Sequence, residues 1–258
     1  MISEEKALVL DFLPKGRSVS HTSEPIAQVM GEQYFSLLEI IPKPGIELKP
    51  LEEAYIGREE RPQVQFIRRR IGFDELTNNA KSELDKAIER VLKTQEYRFI
   101  KFFNTCGPLT LRLHQLELIP GLGKKHMQEI LARRTEKVFD SYEDMEARVH
   151  LMPNPISILK RRIVQEMEGS EKYHLFARPP PSMQEREELR KNEFRRERGF
   201  RRERDRDNTR EHSQRFQGRT QYASKPEQKT APVEESPSNP SKESSPTSDS
   251  SETQTGSP

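Results

Sequence analysis

The chain has 258 residues with 44 Lys/Arg against 42 Asp/Glu, and its 31% apolar content is low for a protein that is globular throughout. A lone cysteine, Cys106, excludes an intrachain disulfide. No basic leader precedes the first apolar run and no run reaches the length of a bilayer span, so the expectation is a cytoplasmic protein with no membrane contact.

In chain order, the first apolar runs are Ala7–Leu13, Gln33–Ile41, Leu51–Ile56 and Val64–Ile71. They are short, rich in β-branched and aromatic residues, and punctuated by Pro14, Pro42, Gly57 and Pro62, which reads as strands. About five strands over residues 1–75 fit a small OB-like β-barrel, with another small barrel as the rival. After Gly72 the period becomes helical. Leu84, Ile88, Val91 and Leu92 fall on one face with Ala80 and Ala87, and Thr77 suits the N-cap. Tyr97, Phe99, Ile100, Phe102 and Phe103 mark a second helix, apolar most of the way round and so the centre of an α-domain over residues 76–177. Gly107-Pro108 closes it and opens the next. Leu109–Leu118 and Lys124–Arg134 are then expected as two helices around a tight turn. Ser141 opens a further helix, and Ile156–Met167 forms the last.

Residues 178–258 read as a disordered tail, Arg/Glu-rich and then acidic and Ser/Pro-rich, with 9 apolar residues, 17 Lys/Arg and 15 Asp/Glu. That leaves 27 of each sign in residues 1–177, so any affinity of the folded part for an anion has to come from local patches. Within the tail, Arg198-Gly199-Phe200-Arg201-Arg202 and Arg215-Phe216-Gln217-Gly218-Arg219 interleave Arg, Gly and Phe in a way that suits weak RNA contacts.

The strongest local signal is Ile119-Pro120-Gly121-Leu122-Gly123-Lys124-Lys125. Gly121 and Gly123 permit a tight turn and close approach to the backbone around Leu122. The helix that follows offers unpaired N–H groups, and Lys124 and Lys125 add charge. A phosphate is the ligand this pattern suits; a turn serving packing alone is the bland reading. Leu151-Met152-Pro153 resembles Leu118-Ile119-Pro120, so a degenerate second hairpin and coincidence both stand. Lys160, Arg161 and Arg162 would lie at the phosphate-facing end of such a hairpin, or on a solvated helix face. On the last predicted strand, alternation puts Arg68 and Arg70 beside Phe66, with Arg69 on the other face. That forms a surface for single strands, or else a charged edge. Six histidines show no metal-ligand spacing, and no nucleotide-binding or nucleophile motif is present; the expectation is no catalysis, no metal and no cofactor.

The Leu116–Lys125 segment resembles the helix-hairpin-helix motif, which implies a backbone contact without base specificity. Met127 stands where many such motifs have a small Ala. With Phe66–Ile71, it makes residues 1–177 similar to an archaeal family of uncharacterised proteins, the domain-of-unknown-function-655 family. The resemblance implies an OB-like domain fused to a helix-hairpin-helix domain and binding of nucleic acid, RNA before DNA. The alternatives are an assembly factor docking on ribonucleoprotein components, and a nuclease or repair enzyme with an unrecognised site.

Overall fold

The computed structural model describes residues 4–16 and 24–189. Both Arg-Gly-Phe segments of the tail lie outside the described residues. Five strands, β1 (Lys6–Leu13), β2 (Ile26–Gly31), β3 (Leu37–Pro42), β4 (Glu53–Tyr55) and β5 (Val64–Arg70), form one curled sheet in the order β4-β1-β2-β3-β5. Every pairing is antiparallel. The order 4-1-2-3 is a Greek key, with β5 added outside β3. No pairing joins β4 to β5, so the sheet is a half-barrel. Sequence punctuation located four of these strands; β2 completes the five.

The sheet is apolar on both sides because it is covered on both sides. Ala7, Val9, Ala27, Val29, Leu38, Ile40, Ala54, Ile56 and Val64 fill the inside of the curl. Their alternates Leu8, Leu10, Met30 and Leu37 point outward and join the helical core. β2 and β3 are therefore buried at every position, which hides the period-2 pattern.

Helix α1 (Asn78–Thr94) buries the six residues its period selects: Ala80, Leu84, Ala87, Ile88, Val91 and Leu92. Thr77 caps it, accepting from Ala80 N–H at 3.0 Å. The cap is wired to the sheet: Thr77 Oγ1 donates to Asp11 Oδ2 (2.6 Å), and Thr77 N–H donates to Gln28 Oε1 (2.9 Å). Helix α2 (Glu96–Thr105) buries Phe99, Ile100 and Phe103, while Tyr97 stays exposed. Residues of the sheet and of all the longer helices share one apolar cluster, so the core crosses the boundary between the β and α elements at residue 75.

The expected helix over Leu109–Leu118 is not there. Pro108–Thr110 (β6) and Leu113–His114 (β7) pair as a small hairpin, and a single 3-10 turn follows at Gln115–Leu118. Gln115 ties back to Gly107, with its N–H on Gly107 O (3.1 Å) and its Oε1 on Gly107 N–H (2.9 Å). Then come α3 (Lys124–Glu136), α4 (Tyr142–Arg148) and α5 (Pro155–Glu168). Ser141 is the cap of α4, accepting from Asp144 N–H at 3.1 Å. Residues 183–189 are helical as well.

Candidate nucleic-acid interface

The two glycines of the turn do different work. Gly121 has φ +96°, a conformation that side chains other than glycine resist, and a Cβ there would stand 3.3 Å from Ile158 Cγ2. Gly123 is the N-cap of α3 with φ −89° and ψ 174°, ordinary extended backbone, and a Cβ there would meet nothing within 4 Å. Between them Leu122 is buried and its N–H returns to Ile119 O at 3.1 Å. Gly121, Gly123, Lys124 and Lys125 are all exposed.

The ends of α3 differ in how their backbone groups are satisfied. At the C-terminal end Arg148 Nη2 donates to Arg133 O (2.8 Å) and Lys137 O (2.7 Å), and Nη1 to Val138 O (3.2 Å). At the N-terminal end no side chain caps the helix in the usual way. The first ladder bond runs from Met127 N–H to Gly123 O (3.0 Å), leaving the N–H groups of Lys124, Lys125 and His126 ahead of it. Among the described residues, the one side chain that reaches back is His126. Its Nδ1 accepts loosely from Gly123 N–H at 3.4 Å, and its Nε2 lies 3.1 Å from Leu151 O, a carbonyl that can only accept, so Nε2 carries the proton. Lys124 and Lys125 form no ion pair with any described residue. The helix dipole, the early N–H groups and two ammonium groups converge at one exposed spot.

The second turn corresponds to the first, in a register three residues from the one the prolines suggest. Ile119 and Val149 are the buried C-caps of the preceding helices. Two residues on, Gly121 and Leu151 have positive φ, +96° and +53°. Met152 N–H returns to Val149 O at 3.3 Å, as Leu122 does to Ile119. The turns touch through the His126–Leu151 bond and through Gly121 against Pro153 and Ile158. The second turn presents no anion grip, however. Asn154 Oδ1 accepts Ser157 N–H at 3.0 Å, and Pro155 opens α5 without an N–H.

Three sequence expectations change. Arg162 does not face solvent: it is 2% exposed, with Nε 2.8 Å from Glu166 Oε1 and Nη1 2.8 Å from Glu171 Oε2. Its Nη1 also donates to Leu118 O (3.0 Å), so it positions the turn from beneath. The i,i+4 spacing of Arg162 and Glu166 is the signal that could have shown this. Lys160 pairs with Asp85 on α1 at 3.5 Å, leaving Arg161 as the exposed member of the triplet.

The third change is on β5. The register steps from Phe66 opposite Ile41 and Ile67 opposite Ile40 to Arg69 opposite Glu39, so Arg68 is the extra residue of a bulge. The bulge inverts the alternation. Arg69 falls on the side of Phe66, and Arg70, opposite Leu38, falls on the other. Arg69 is buried between Glu39 (2.9 Å) and Glu75 (2.8 Å), so the expected Phe66–Arg68–Arg70 face is not formed.

The family model for a protein of unknown function, DUF655, matches residues 3–178. The chain belongs to the DUF655 family. An uncharacterised protein of Methanocaldococcus jannaschii is 42% identical over 177 residues, covering 68% of this chain and 80% of that one. A crystal structure of a DUF655 protein from Archaeoglobus fulgidus superposes with a TM-score of 0.63 at 39% identity, covering 68% of this chain and all of the other. The DUF655 match takes in both turns and the half-barrel, and it ends at Arg178.

Proposed function

We propose that this chain is a non-catalytic nucleic-acid-binding protein that holds the sugar-phosphate backbone at Gly121–Lys125, with RNA preferred over DNA, and that it acts in the cytoplasm. The observation that carries the reading is the open N-terminus of α3, exposed beside two lysines that form no ion pair among the described residues, on a helix whose other end is capped by Arg148. An OB-like origin for the half-barrel and a helix-hairpin-helix origin for the paired turns belong to the same proposal. The matching positive-φ positions support the second. The first-turn contact is sequence-independent, since backbone N–H groups and ammonium groups read phosphate and not bases.

Binding of labelled duplex DNA, structured RNA and single strands, titrated with salt, tests this. Affinity should fall steeply with salt and should drop in a K124Q/K125Q variant. Absent or salt-insensitive binding by the intact chain refutes the proposal. One observation favours the alternative of an assembly factor: Leu111 is fully exposed at the tip of the β6–β7 hairpin, next to exposed Arg112. Partners that survive nuclease treatment in a pull-down would favour it.

A further inference from the structure

The segment after α5 brings one basic group, Arg178, to another, Arg70 at the end of β5, and the turn uses neither. Glu166, fully buried, collects the N–H groups of Leu175, Phe176 and Ala177 at 2.8, 2.9 and 2.8 Å. Phe176 packs against Phe99 and Phe102, with ring centroids 5.7 and 4.8 Å apart. Arg178 N–H then donates to Tyr34 O (2.8 Å), and Pro179 O accepts from Arg70 Nη2 (2.5 Å). Further on, Arg186 Nη1 reaches both oxygens of Asp74, at 2.7 and 2.8 Å. The strap is thus pinned along its length. It sets Arg178 one residue from the carbonyl that holds Arg70.

Neither Arg70 nor Arg178 has a carboxylate within 4.0 Å among the described residues. Arg70 Nε is buried and has no hydrogen-bond partner among the described residues. Burial, with a smaller contribution from the like charge of Arg178, holds the Arg70 guanidinium below the usual arginine range. The acid whose field reaches both is Glu185, and its carboxylate is engaged by Ser182 N–H at 2.7 Å. A buried N–H donor without an acceptor is costly, and two neighbouring guanidiniums with no carboxylate in contact repel. One tetrahedral oxyanion would relieve both, because the guanidinium fork matches phosphate.

We infer that Arg70 and Arg178 form a phosphate-group site, completed by the strap and separate from the Gly121–Lys125 turn. The assignment of that phosphate to a nucleic-acid backbone rests on the function proposed above; a free phosphate compound offers the same chemistry. Sequence reading reached Arg70 but not Arg178, which looks like the first residue of the tail. The stiff Pro179-Pro180-Pro181 run after it was the available signal.

The test uses the full chain with R178Q, whose side chain is exposed and holds no described contact, together with R70Q and K124Q/K125Q. Oligonucleotide affinity is measured by fluorescence anisotropy across salt, and inorganic phosphate is titrated separately by NMR. R178Q and R70Q should each weaken oligonucleotide binding several-fold and reduce the steepness of the salt dependence by about one, with R178K recovering part. Arg178-dependent binding of inorganic phosphate, with oligonucleotide affinity unchanged, would support the site and assign it to a free phosphate compound. Unchanged affinity, salt slope and phosphate binding in both arginine variants would overturn it, and if K124Q/K125Q still weakened binding, the turn would stand alone. Loss in the arginine variants with K124Q/K125Q silent would overturn the turn and leave this site standing.

Discussion

Replacing Gly123 with serine should stabilise the fold and weaken nucleic-acid binding at once. The backbone at Gly123 already has the extended geometry of an N-cap, and a Cβ there is unopposed within 4 Å. A serine hydroxyl would accept an N–H of the first turn of α3, which glycine leaves open. The gain is roughly a few tenths of a kcal/mol, the usual margin of serine over glycine at this position. The same hydroxyl takes a donor that the phosphate would use, so affinity should fall while the melting temperature rises. Gly121→Ala gives the contrast. At φ +96°, with Ile158 Cγ2 at 3.3 Å, it should cost about 1–2 kcal/mol in backbone strain before any packing cost. Thermal denaturation and anisotropy on the two variants supply both numbers. If G123S is more stable and binds as tightly as the parent, the N–H groups at the start of α3 are not the contact.

Other outcomes follow from the same contacts. Arg162→Ala should destabilise by about 3–5 kcal/mol in a denaturant titration, because it leaves the buried Glu166 carboxylate without its counter-charge. The double change R162M/E166M should cost less than the sum of the two single changes. Leu84→Ala, at the centre of the α1 stripe, should cost about 2–5 kcal/mol by the same measurement. Burial, and then Glu53, raise the Glu32 carboxyl above its ordinary value, so its charged form is the disfavoured one in the fold. E32Q should therefore raise the melting temperature at neutral pH. That gain should shrink as pH falls through the raised value and be gone below the ordinary carboxylate range. Burial also pushes the Cys106 thiol up, and Arg134 Nη1 lies 3.3 Å from its sulfur. Its reaction with a thiol reagent at neutral pH should be slow until denaturant is added.

Much of the fold was legible where one face of an element meets water. The α1 stripe and its Thr77 cap, and the Ser141 cap of α4, come directly from spacing, because their outer faces are polar. β2 escaped because both its faces are covered, so Ile26–Gly31 shows no alternation to read. The segment Leu109–Leu118 misled because its apolar residues suit a helix, while Gly107-Pro108 and the Gln115 side chain favour a hairpin that no periodicity announces. At the candidate site the Gly-x-Gly-Lys-Lys run was readable because it depends on local backbone. The fate of Arg69 was not, since a bulge at Arg68 and the partners Glu39 and Glu75 decide it; for Arg162 the spacing to Glu166 was visible, but its contacts with Glu171 and Leu118 were not.

The apolar interior that runs from Leu8 and Met30 through Phe99 to Ile163 has one more consequence. Sheet and helices should melt in a single transition, with no temperature at which one survives the other. Cutting the chain near residue 75 would leave Leu8, Leu10, Met30, Phe35 and Leu37 facing water on one fragment and the α1 stripe facing water on the other. Fragment studies are therefore unsuitable for dividing labour between the two parts. Because both pack on that one interior, the turn at Gly121 and the strand ending at Arg70 should keep a constant separation, like the jaws of a fixed gauge.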